Sequence, residues 1–186
     1  GRRFTEIAEE VGKHPFDVMC DLLLEEDGRV LVFESMSEPD DAFTEHYTFP
    51  ALKDSETMIT TDTILLGMGT PSYLFYGCYP KFIHRYVFEK NLLDLPTAIS
   101  RCTGMPAKEF NIKNRGLIKE GYFADILVMD AQNFKTKAVF RNPAQDPEGM
   151  KMVMINGKVV VEDGKIKTGV LSGKMLRRNQ QAAPAV

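Results

Sequence analysis

The residues that could do chemistry in this chain are few and scattered. Asp62 follows the run Thr57-Met58-Ile59-Thr60-Thr61 and opens a glycine- and proline-containing loop that continues to about Gly77. A carboxylate at a strand end can carry a proton during a hydrolysis. It can equally be a turn former, because aspartate bonds its own backbone and tolerates left-handed conformations. Both roles stay open for Asp62 on its sequence surroundings. His14, His46 and His84 are far apart, with no His-x-His and no His-Glu-x-x-His pattern. A zinc ion needs three or four ligands at suitable spacing, so these histidines read as structural. His14 stands before Pro15 beside a helix start, and His84 lies on an amphipathic helix as a surface or packing residue. Cys20, Cys78 and Cys102 are scattered and odd in number. They suggest free thiols in a reducing, cytoplasmic compartment rather than a disulfide framework.

The elements that must position these groups alternate in type. Thr5 can cap a short helix containing Ile7, Ala8 and Val11. Pro15 suits the first turn of the next helix, where its missing N–H is harmless. Phe16, Met19, Leu22 and Leu23 form that helix's expected apolar face, and Gly28 ends it. Val30 to Phe33 is a continuous apolar run, as in a strand covered on both faces. Ser37 then suits the N-cap of a helix starting near Pro39, with Asp40 and Asp41 at its positive end. Thr57 to Thr61 reads as a second short strand. An amphipathic helix follows with Phe82, Ile83, Tyr86 and Val87 on one face. Asp94 caps a further helix, and Met105 to Phe110 adds another helical turn. Strands alternating with helices predict an α/β fold with a parallel sheet, Val30 to Phe33 beside Thr57 to Thr61.

The last third changes character. Phe123 to Met129 reads as a strand. Asn156-Gly157 separates Val153 to Ile155 from Val159 to Val161, and that dipeptide suits a type I′ hairpin turn. Asp163-Gly164 offers a second tight turn. Met150, Met152 and Met154 alternate, as core-filling residues on one strand face would. The expectation is a small β-meander, marginal by itself and in need of a partner.

Composition narrows the function. The formal charge of -3 gives no reason to expect a nucleic-acid or anionic-membrane partner. No apolar run approaches the ~20 residues of a membrane helix. The first residue is Gly1, which fits a fragment or a processed chain. No internal repeat is visible.

Motifs in the last third are specific when taken together. They run from Gly116-Leu117-Ile118-Lys119-Glu120-Gly121 through Ala124-Asp125-Ile126-Leu127-Val128-Met129-Asp130 and Arg141-Asn142-Pro143. They continue through Pro147-Glu148-Gly149 and Val153-Met154-Ile155-Asn156-Gly157 to Gly173-Lys174-Met175. This series resembles the C-terminal end of the amidohydrolase superfamily, in its N-acyl-D-amino-acid deacylase (D-aminoacylase) branch. Tyr76-Gly77-Cys78-Tyr79-Pro80 with Arg85-Tyr86-Val87 resembles a helix of that branch, and Phe33-Glu34-Ser35-Met36-Ser37-Glu38 a barrel-strand end. The resemblance spans nearly the whole chain in order.

The resemblance implies the C-terminal part of a (β/α)8 barrel over residues 1–115, with its last two strands and helices. It implies a β-sandwich portion over 116–178, and 179–186 reads as a disordered tail. The implied enzyme is a zinc-dependent amidohydrolase acting on N-acyl-D-amino acids or a related linear or cyclic C–N bond. One or two zinc ions would be held mainly by residues outside this chain, so the chain alone is expected to be inactive. Asp62 would be the catalytic carboxylate after the eighth strand, taking a proton from the attacking water and returning it to the leaving amine. It could also be a weak or second-site metal ligand. Ser37, after the seventh strand, could bond the substrate carboxylate, and Tyr73 and Tyr76 could line the same mouth. Two positions depart from the branch. Thr63 stands where a glycine is usual, and Leu74 stands where an arginine is common. Leucine cannot clamp a carboxylate, so another residue does so or the substrate is not a simple acyl amino acid. The alternative is a self-standing, non-catalytic domain that retains the amidohydrolase shape.

Overall fold

A computed structural model describes residues 2–30, 42–63, 71–139 and 141–177. Among them the helices are α1 (Phe4–Val11), α2 (Pro15–Glu25), α3 (Ala42–Lys53), α4 (Tyr73–Ile83), α5 (Leu95–Cys102) and α6 (Gly104–Glu109). The strands are β1 (Ile126–Met129), β2 (Met150–Ile155), β3 (Lys158–Glu162) and β4 (Lys165–Ile166).

Local chemistry sets most helix ends. The Arg3 backbone N–H, at the cap of α1, donates to the Glu6 carboxylate at 3.3 Å. Thr5 therefore lies inside α1 and is not its cap: the carboxylate one residue further on satisfies the cap position. His14 is itself the cap of α2, its Nδ1 accepting from the Phe16 N–H at 3.3 Å, with Pro15 in the first position. Ser72 caps α4 by accepting from the Leu74 N–H at 3.3 Å. Asp94 caps α5 as expected, accepting from the Thr97 N–H at 2.7 Å. The α4 helix continues into a π-helical turn, His84–Glu89.

The expected apolar face of α4 faces the core. Phe82, Ile83 and Val87 are buried with Leu52 of α3, Ala98 of α5 and Phe134, and Tyr86 packs against them. The expected face of α2 is only partly right. Val18 is its buried residue, whereas Phe16 is 59% exposed. Helix α2 packs on α1, which covers a narrower stripe than a full apolar face needs.

The sheet is a four-stranded antiparallel meander in the order β1-β2-β3-β4. Asn156 and Gly157 take φ of 49° and 78°, the paired positive angles of the turn their sequence predicts. Asp163 and Gly164 repeat that geometry at 49° and 73° between β3 and β4. Strand β1 begins at Ile126 rather than Phe123. Phe123 is held under the Arg115 guanidinium, 4.1 Å from the ring centroid, and the Asp125 carboxylate accepts from the Asn156 N–H at 2.8 Å. Met129 of β1 and Met150 of β2 pack against the helical core through Phe134 and its neighbours. The sheet and helices α3 to α5 thus share apolar contacts.

One expected element is absent as such. Thr57 to Thr61 forms no strand among the described residues. A strand persists through ladder bonds to a neighbour. Among the described residues the Thr57 hydroxyl donates to Ala51 O at 2.7 Å and the Ile59 N–H to Arg101 O at 3.1 Å, and the expected neighbouring strand is not among them. No parallel pair occurs among the described residues. Residues 31–33 of the other expected strand, Ser37 with its helix cap, and the tail from residue 178 lie outside them.

Phe134 is 2% exposed at the junction of sheet and helices. Phe134→Ala should lower unfolding free energy by about 3–5 kcal/mol, the usual cost of emptying such a site, read from urea denaturation. Glu45 of α3 accepts from Lys90 Nζ at 2.5 Å and from Arg85 at 2.8 Å. The Lys90 bond foremost holds its carboxyl below the ordinary value of 4.5. A lowered folded pKa gives stability that is present above the ordinary pKa and lost as pH falls through the folded one. Melting temperatures taken across that acid range should therefore fall less steeply for Glu45→Gln than for the parent chain.

Candidate functional site

Asp62 ends the irregular segment that follows α3. Its backbone has φ of 46°, in the left-handed region that aspartate and asparagine tolerate. The residue is exposed, and its carboxylate has no hydrogen bond or ion pair to another described residue. An aspartate spent on a turn commonly accepts from a backbone N–H two or three residues on. Asp54 does so with Glu56 N–H at 2.8 Å, and Asp130 with Asn133 N–H at 3.4 Å. Asp62 differs from both: its backbone is left-handed, and its carboxylate has no partner among the described residues.

The segment leading to Asp62 is gripped on two sides. On one side lies α5. Arg101 is a buried side chain, 3% exposed, and its guanidinium donates to Leu52 O near the C-terminal end of α3. Backbone carbonyls there carry the negative end of the helix dipole, so a cation is favourable. The Arg101 carbonyl takes the Ile59 N–H, and the Arg101 Nε is buried without a partner among the described residues. On the other side lies α4, whose Cys78 thiol donates to Thr60 O at 3.8 Å. Arg101 escaped the sequence reading because a lone arginine beside Ala98 and Cys102 looks like an exposed helix residue. Its signal was helical spacing: Ala98 and Arg101 are three apart and share the buried face.

The other candidates fall in separate places. His46 makes an edge-on contact with Tyr47 at 4.9 Å, and His84 Nε2 lies 3.4 Å from Glu89. With His14 committed to capping α2, the histidines do not converge. No group of three or more histidine, cysteine, aspartate or glutamate side chains comes together among the described residues. Of the expected site residues, Asp62 alone is described as a group free to face a metal or a reacting water. Tyr73 and Tyr76 are half-buried in the first turn of α4, and Leu74 is exposed beside them. A recess of 340 Å³ lined by Ser55, Thr97, Ser100 and Arg101 offers hydroxyls and a guanidinium, without a carboxylate for proton transfer.

The motifs of the last third form a network of their own. Arg115 donates to the Asp125 carboxylate and to Asn156 Oδ1 at 2.6 Å. Asn156 Nδ2 donates to Ser172 O at 2.6 Å, and the Gly157 N–H to Ala124 O at 3.0 Å. Asp125 and Asn156 are therefore more than strand and turn residues. They tie the start of β1, the β2–β3 turn and the segment after β4 to one guanidinium. Arg115 carries no local sequence signal.

Residues 40–161 match the model of the amidohydrolase family. The chain is 31% identical over 178 residues to a D-aminoacylase of Alcaligenes xylosoxydans xylosoxydans, covering 96% of this chain and 34% of that protein. A solved D-aminoacylase structure, from work on its binuclear metal centre, superposes with a TM-score of 0.78 at 31% identity. That match covers 96% of this chain and 35% of the other. An N-acyl-D-glutamate deacylase of Bordetella bronchiseptica, complexed with zinc and a phosphonate inhibitor, superposes with a TM-score of 0.70 at 23% identity. It covers 86% of this chain and 31% of the other, and at that identity the likeness concerns the fold alone. The chain thus spans about a third of the length of the relatives it matches.

Burial pushes the Cys78 thiol up from its ordinary value, and pushes Cys102 up to about 12, with the Cys78 charge a lesser cause. The thiolate is the nucleophile, so both should react with iodoacetamide far more slowly in the native chain than in urea at mildly alkaline pH. Peptide mass mapping of the alkylated sites checks this. Equal native and denatured rates at Cys102 would contradict its burial.

Proposed function

This chain belongs to the amidohydrolase family, and on that premise we propose that it is the C-terminal part of a metal-dependent enzyme hydrolysing the amide bond of N-acyl-D-amino acids. The carrying observation is the likeness to D-aminoacylase along 96% of the chain in both sequence and structure. In this reading residues 1–115 complete a (β/α)8 barrel and 116–178 contribute to a β-sandwich. Catalytic groups of such barrels stand at the C-terminal ends of strands, and the segment ending at Asp62 supplies one.

An amide is a poor electrophile with a poor leaving group. When bound, zinc polarises the carbonyl and lowers the pKa of water. The ligands that hold it lie mainly outside this chain, with Asp62 at most a weak or second-site ligand. Asp62 handles the proton. Its carboxylate accepts a proton from the attacking water as the new C–O bond forms. The C–N bond then breaks, and Asp62 returns the proton to the departing amine. The left-handed backbone at Asp62 and its uncommitted oxygens suit that work, because no described partner must be displaced first. Ser37 would bond the substrate carboxylate near the same mouth. Leu74 cannot grip that carboxylate, so specificity for the acid group rests with residues other than the arginine common in this branch.

Asp62→Asn keeps the size and the turn preference while removing the proton acceptor. In the full-length enzyme kcat should fall by about 10²–10⁴-fold, with bound zinc nearly unchanged. Near-normal turnover would remove Asp62 from the mechanism. The 186-residue chain alone, supplied with zinc, should show no turnover of N-acetyl-D-amino acids. Enzyme-like rates there would show that its own residues complete the site.

A further inference from the structure

Between β1 and β2 the chain leaves the sheet and passes over α4, and this passage bears on Asp62. Phe134 is buried in the core beside Phe82 and Ile83. Two residues later Thr136 lies directly on Gly77 of α4. A Cβ at Gly77 would stand 2.5 Å from Thr136 Oγ1 and 3.0 Å from its Cβ, so only glycine fits this contact. The Thr136 hydroxyl cannot simply swing away, because it accepts from the Ala138 N–H at 2.9 Å, and Ala138 is itself buried. Gly149, with φ of 74°, lets the chain close behind the strap: a Cβ there would meet the Asn133 backbone at 2.6 Å. The neighbour of Gly77 is Cys78, whose thiol donates to Thr60 O, two residues before Asp62.

We propose that residues 134–138 form a clamp that positions Asp62, acting through Gly77 on α4 and the Cys78 thiol. The proposal rests on the reading of Asp62 as the proton-transfer group. An S–H···O bond is weak alone. It gains effect because the donor helix is locked by the strap at the neighbouring residue, Gly77, while the Arg101 carbonyl holds Ile59. Thr60 and Ile59 are thereby fixed just before the backbone turns into the left-handed conformation at Asp62. The Gly77 of the Tyr76-Gly77 pair thus has a physical reason: it is where the sheet's connection meets the helix behind the catalytic carboxylate. The clamp acts on Asp62 through Thr60, so its members are positioning residues.

The test uses the full-length, metal-loaded enzyme, with kcat, KM, bound metal and melting temperature measured together. Gly77→Ala should lower kcat about tenfold with KM and metal content within about twofold, since misplacement by an ångström costs up to ~10²-fold. The double variant Gly77→Ala/Thr136→Gly, which clears the three atoms that the new methyl would strike, should recover most of the loss. Cys78→Ala makes no clash and should still lower kcat about threefold, with Cys78→Ser recovering part of it. A contact that is merely structural would move the melting temperature and leave kcat per folded molecule unchanged. Folded Gly77→Ala with normal kcat, a double variant no better than the single, or normal kcat in Cys78→Ala would each overturn the clamp; if Gly77→Ala does not fold, Cys78→Ala decides. Should Asp62→Asn be inactive while these variants stay normal, the clamp alone falls. Should Asp62→Asn be active, the catalytic reading falls with it.

Discussion

The described structure depends on a buried cation. Arg101 reaches from α5 to the end of α3, where its guanidinium meets Leu52 O, while its own carbonyl receives the Ile59 N–H. Burying a charge is costly unless it is hydrogen-bonded. Helix α3 lowers that cost by presenting the negative end of its dipole. One residue thereby fixes two helices and the segment between α3 and Asp62. Ala98, one helical turn before it, is fully buried, so the guanidinium is held by packing as well as by bonding.

A second cation plays the corresponding part in the sheet. Arg115 lies on the Phe123 ring and binds Asp125 and Asn156, two residues that also bond each other. Antiparallel meanders of this size are marginal in water. Here polar ties at one end of the sheet and Met129, Met150 and Phe134 against the helices provide what the strands lack. Arg115, Asp125 and Asn156 in this tail thus do structural work. They keep the sheet docked, and the connection leaving it touches the helix behind Asp62.

Among the described residues, most groups that could do chemistry are spent on structure. Three histidines are occupied with a cap, an aromatic contact and a contact with the Glu89 carboxylate. Two thiols near α4 and α5 are kept protonated by burial and act as packing or hydrogen-bond donors. In the proposed reading Asp62 carries the proton, and the Arg101 carbonyl and the Cys78 thiol hold the backbone just before it. Among the described residues no group of three or more histidine, cysteine, aspartate or glutamate side chains comes together to hold a metal.

What the sequence determined by itself was local or patterned. Asn156-Gly157 made its hairpin, because a type I′ turn depends on the conformational freedom of those two residues. Pro15 opened α2, Asp94 capped α5, and Phe82, Ile83 and Val87 lined a buried face by helical spacing. The family was legible in the ordered tail motifs. The candidate carboxylate was legible too, though only through that resemblance, since an aspartate after a strand-like run is also an ordinary turn residue. Only tertiary structure decided the rest. Thr57 to Thr61 has strand composition, and the bonds it makes among the described residues, from the Thr57 hydroxyl to Ala51 and from the Ile59 N–H to Arg101, follow from no local pattern. Arg101, Arg115 and the Gly77–Thr136 contact join residues 41 to 59 positions apart. Such pairings depend on how elements pack in space, and neither propensity nor periodicity encodes them.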